Sequence, residues 1–67
     1  MSMKEVVINR LLKRKDVKDW SDEAKEEFRT LVRNLFDIYG VAGFMSGRAK
    51  KPFQEGLAEI KKKYNIT

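Results

Sequence analysis

The stretch from Asp22 to Tyr39 constrains this chain more than any other feature. Ala24, Phe28, Leu31, Val32, Leu35, Phe36, Ile38 and Tyr39 recur at three- and four-residue spacing, which gathers them on one broad side of an α-helix. Ser21 suits the N-cap, Asp22 and Glu23 stand beside the positive end of the helix dipole, and Gly40 sits where a left-handed residue would end the helix. In a chain of 67 residues, a helix this long leaves room only for elements that cover its apolar side.

Two further helices are expected to supply that cover. Ser2 followed by Glu5 resembles a capping box, and Val7, Ile8, Leu11 and Leu12 then share one face. Val6, Val7 and Ile8 could begin a strand, but no other segment offers strand pairing. Pro52 fits the first position of a third helix, with Phe53, Leu57, Ile60 and Tyr64 along one side. Gly56 weakens that helix, so Ala there should stabilise it by roughly 0.5–1 kcal/mol unless another backbone needs the space. Trp20 is expected to anchor the first turn of the second helix. Between Gly40 and Lys51, Val41, Phe44 and Met45 suggest a helical turn while three glycines oppose it.

The expected fold is all-α: a compact bundle of three helices plus a short fourth helix or turn around residues 41–47, with residues 1–67 forming a single helical domain. Trp20, two Tyr and four Phe are enough bulky groups for one small core. Without Cys, neither a disulfide framework nor a thiolate metal site reinforces it. No apolar run approaches the roughly 20 residues that cross a bilayer, and the N-terminus lacks a signal-peptide core, so a soluble, cytoplasmic protein is expected.

Catalytic chemistry is poorly represented. The absence of His removes the commonest general base and metal-binding nitrogen, and no nucleophile, base and orienting group come together in the sequence. Asp22, Glu23, Glu26 and Glu27 read as the acidic start of a helix, without the spacing of a calcium loop. Gly40 to Gly43 has the GxxG form, but it lacks the Gly-Lys-Ser/Thr of a phosphate loop and the mixed helix and sheet setting of a KH clamp. The expectation is a non-enzyme with no metal and no cofactor.

Charge is more informative. Six of the ten acids lie between Asp16 and Glu27, whereas thirteen of the fifteen basic residues flank that stretch, and the net charge is +5. Part of this sorting is helix chemistry: Lys61, Lys62 and Lys63 fall at the negative end of the third helix, and Lys13, Arg14 and Lys15 close the first. Arg10, Lys13 and Arg14 also gather opposite the apolar face of helix one. Lys25, Arg29 and Arg33 stack like charges at four-residue spacing, to be relieved by Glu26 for Arg29, by Asp37 for Arg33, or by a bound polyanion. Arg48, Lys50 and Lys51 precede the Pro52 helix, where cations oppose the dipole.

A basic entry to a helix resembles the leading end of a recognition helix, although bulky Phe36 stands where a helix-turn-helix needs a small residue. The sequence therefore points to a small regulatory protein that binds nucleic acid, DNA in the first place, through phosphates. Its candidate contacts are Arg48, Lys50, Lys51, Lys25, Arg29, Arg33, Arg10 and Arg14. The alternative is a protein-interaction module or small inhibitor whose apolar patch of Phe44, Met45 and Tyr64 meets a partner or a second copy.

Overall fold

Ser2 and Ser21 start the first two helices as their positions in the sequence predict. In the computed structural model, which describes residues 2–66, Ser2 caps α1 (Met3–Leu12) by accepting from the Glu5 amide at 3.3 Å. Ser21 caps α2 (Asp22–Met45) by accepting from the Ala24 amide, also at 3.3 Å. The third helix, α3, spans Lys50–Lys63. It begins two residues before Pro52, which occupies the third helical position, still within the turn whose amides need no intrahelical acceptor.

Gly40 does interrupt the second helix, with φ 76° and ψ 162°. That region is essentially closed to residues with a Cβ. The chain then re-enters helix for one turn, so the ambiguous stretch resolves as a kinked extension through Met45. Its stop comes at Gly47 (φ 93°): the Arg48 amide reaches the Gly43 carbonyl and the Gly47 amide reaches that of Phe44, a Schellman closure. Asn65 (φ 55°) ends α3 the same way, with Ile66 donating to Lys61 and Asn65 to Lys62.

Both outer helices run antiparallel to α2. Arg33–Glu5 (3.1 Å) and Lys4–Asp37 (3.6 Å) tie the start of α1 to the later part of α2. Glu27 accepts from the Tyr64 hydroxyl and pairs with Lys63 at 2.9 Å, tying the end of α3 to the early part. Each outer helix packs on α2 and lies farther from the other than from α2. Val7 and Ile8 from α1, Val17 and Trp20 from the connection, Ala24, Phe28, Val32 and Phe36 from α2, and Leu57 and Ile60 from α3 form one buried cluster. Trp20 meets Phe28 edge-on with ring centroids 5.9 Å apart, so its contact with α2 falls on the second turn and not the first.

Three further sequence expectations change. Phe44 is half-buried: it stacks edge-on with Phe36 (5.0 Å) and Phe53 (5.5 Å), because the kink at Gly40 turns it back over the core. Tyr64 is half-buried and spends its hydroxyl on Glu27. The Arg33–Asp37 pair is replaced by cross-helix pairs from α1, which reaches both side chains. Gly56 also has a steric role, since a Cβ there would lie 2.5 Å and 2.7 Å from the two methyls of Leu31. That close approach lets α3 sit against α2.

Candidate functional site

The ion pairs divide the candidate basic residues into two groups. Arg33 is held by Glu5, and Arg29 by Glu26 at 3.6 Å, while the Arg29 Nε is covered and has no hydrogen-bond partner among the described residues. The row along α2 is thus largely neutralised from within, leaving Lys25 as its one member without a carboxylate inside 4 Å among the described residues. Like-charge repulsion at four-residue spacing needs no external anion here.

Arg48, Lys50 and Lys51 behave differently. All three are exposed, and among the described residues none has a carboxylate within 4 Å. They crowd the start of α3, whose first turn carries no acid and whose N-cap, Ala49, makes no side-chain cap. Cations there are disfavoured by the dipole. The backbone offers little for an anion in compensation. The Lys50 amide donates to Gly47, Pro52 has no amide hydrogen, and Phe53 donates to Ala49, which leaves the Lys51 amide. Anion binding at this end therefore falls on side chains.

Arg14 is brought to the same place from the connection that follows α1. Its guanidinium is held in bidentate fashion by Asp16, with Nε and Nη2 each 3.1 Å from a carboxylate oxygen, and its carbon lies 5.8 Å from the centre of the Phe53 ring. Arg14 and Lys50 line a groove of about 240 Å³ together with Leu11, Phe44, Ala49 and Phe53. This groove is the gap between the end of α1 and the start of α3. Arg10, one turn before Arg14, is exposed with no carboxylate partner among the described residues. Arg48 lays its Cδ against Gly43. The structure thus joins Arg14 with Lys50, flanked by Arg48 and Lys51, and sets Lys25, Arg29 and Arg33 apart on α2.

A larger cavity of about 520 Å³ lies at the other end of the α1–α2 connection, with Lys15, Lys61, Asp16, Asp19 and Trp20 in its wall. Its two lysines face two aspartates, so it has no comparable preference for a polyanion. Among the described residues no cluster of three or more carboxylates is arranged to hold a metal ion, and no helix is long and apolar enough to cross a membrane.

Of the apolar patch expected from the sequence, Met45 is 65% exposed, while Phe44 and Tyr64 are half-buried. Ile38 (72%) and Met3 (67%) are exposed as well and were not anticipated. Ile38 belongs to the apolar series of α2, and sequence spacing alone does not reveal that α1 starts beside Asp37 and leaves it uncovered. Leu11 and Phe53 were read as core residues, and their part in the groove depends on the kink that brings Phe44 beside them. No family model, curated protein or solved structure matches the chain.

Proposed function

We propose that this chain is a small, non-enzymatic regulatory protein of the cytoplasm that binds nucleic acid, DNA in the first place, through backbone phosphates. The observation that carries the reading is the set Arg48, Lys50 and Lys51. These are adjacent exposed cations with no carboxylate partner among the described residues, placed where the helix dipole works against them. Such an arrangement costs stability in isolation and gains when an anion arrives. Arg14, Arg10 and Lys25 extend the positive surface, whereas Arg29 is paired with Glu26 within α2 and Arg33 with Glu5 across to α1.

A salt series tests the reading. Each phosphate neutralised contributes about −0.9 to the slope of log K against log salt on a duplex, so three to five contacts give a slope between about −3 and −5. Failure to bind any nucleic acid at low salt would remove the proposal. Met3, Ile38 and Met45 favour a second reading, in which an exposed apolar surface meets a protein partner or another copy of the chain. Sedimentation of a clean monomer across the micromolar range, with no protein partner recovered, would count against it.

A further inference from the structure

We propose that the groove between the end of α1 and the start of α3 accepts an unpaired base, so that the preferred ligand is single-stranded DNA, with Arg14 as the stacking plane and Lys50 as the phosphate contact. This rests on the nucleic-acid reading above and narrows its substrate.

The groove has an apolar floor of Leu11, Phe44 and Phe53 with two cationic residues, Arg14 and Lys50, in its lining. A duplex presents phosphates outward and keeps its bases stacked inside, so it meets the cations and leaves that floor uncovered. A single strand offers both parts at once: a flat apolar ring for the floor and a phosphate for the rim. The volume of about 240 Å³ is below the range of drug-sized ligand sites, as a pocket for one base should be.

Arg14 is specialised for this. Its bidentate pairing with Asp16 offsets much of its charge and fixes the orientation of the guanidinium, while the side chain stays 41% exposed. A fixed guanidinium packed near an aromatic ring is a stacking surface for a base more than a free phosphate ligand. Lys50 has no such partner among the described residues and keeps its full charge for the phosphate. The polar side chains of the lining, Arg14 and Lys50, only donate and would meet a phosphate or a ribose 2′-hydroxyl alike, so the groove gives RNA no advantage over DNA. Its polar groups are cationic, so the competing occupant is an acidic peptide with a bulky apolar anchor.

Fluorescence anisotropy with a labelled twelve-nucleotide dT strand, the same length of rU and a mixed-sequence twelve-base-pair duplex, at 20 mM and 150 mM salt, decides the matter. The dT strand should bind at least tenfold tighter than the duplex at 150 mM. Arg14→Lys, which keeps the charge but loses the plane and the bidentate pairing with Asp16, should erase that margin, and circular dichroism should show the variant folded. Lys50→Gln should weaken the strand and flatten its salt dependence. Equal binding of strand and duplex, an unchanged margin in Arg14→Lys, or rU bound tenfold tighter than dT would overturn the inference while leaving phosphate binding intact. Silence from all three probes at 20 mM would defeat the underlying reading as well. Displacement of nothing but an acidic, aromatic-anchored peptide would assign the groove to protein.

Discussion

Replacing Gly56 by Ala should destabilise this protein, against the ordinary expectation for a glycine inside a helix. In an isolated helix the change gains about 1 kcal/mol. Here the new Cβ would stand 2.5 Å and 2.7 Å from the two methyls of Leu31 and 3.1 Å from its Cγ. The whole branched end of Leu31 must move, or α3 must retreat from α2, and overpacking of this kind costs about 1–3 kcal/mol. The net loss is then about 1 kcal/mol, or about 4–8 °C in Tm for a domain of this size. Urea unfolding followed by circular dichroism and by the fluorescence of buried Trp20 provides the assay. The cycle with Leu31→Ala isolates the cause. In that background the obstruction is gone, and Gly56→Ala should stabilise by about 0.5–1 kcal/mol. A stabilising Gly56→Ala in the wild-type background, or the same effect in both, would refute the close-approach argument.

Gly40→Ala should cost about 1–3 kcal/mol, because its φ of 76° and ψ of 162° belong to glycine alone even though nothing lies within 4 Å of the added carbon; thermal melts check this. The Glu27 carboxyl is held below its ordinary range first by the Tyr64 hydroxyl and then by Lys63. A lowered folded-state value stabilises above the unfolded carboxylate pKa and is lost as pH falls through the folded one. Tyr64 is raised, chiefly by its bond to Glu27, so its contribution holds below a free tyrosine's value and fades as pH climbs through the folded one. Stability measured against pH should therefore decline at both ends more steeply in the wild type than in Glu27→Gln. Parallel curves would show that the cluster contributes nothing.

The helices were legible because their signals are local. Ser2, Ser21 and the spacing of Ala24, Phe28, Val32, Leu35 and Phe36 act within a few residues of themselves, and caps and faces appear where those residues put them. Tertiary partnerships were less legible. Glu26 reaches Arg29 within α2 as its three-residue spacing allows, but Arg33 and Asp37 turn to Glu5 and Lys4, whose proximity exists only once α1 docks. Phe44 looked like surplus apolar surface because the turn at Gly40 has no counterpart in periodicity. The same turn sets the groove, so Leu11 and Phe53 carry no sequence mark of their place in it. Arg48, Lys50 and Lys51 stood out already, since opposition to a helix dipole can be read from position alone.

The central claim is that unpaired cations at the start of α3, and not the paired row on α2, meet nucleic acid. The direct test compares two folded variants in one salt series. Arg48→Gln, Lys50→Gln and Lys51→Gln together should flatten the slope of log K against log salt by about 3. Lys25→Gln, Arg29→Gln and Arg33→Gln together should change it by about 1 at most. Equal flattening by both sets, or a larger effect from the α2 row, would contradict the account.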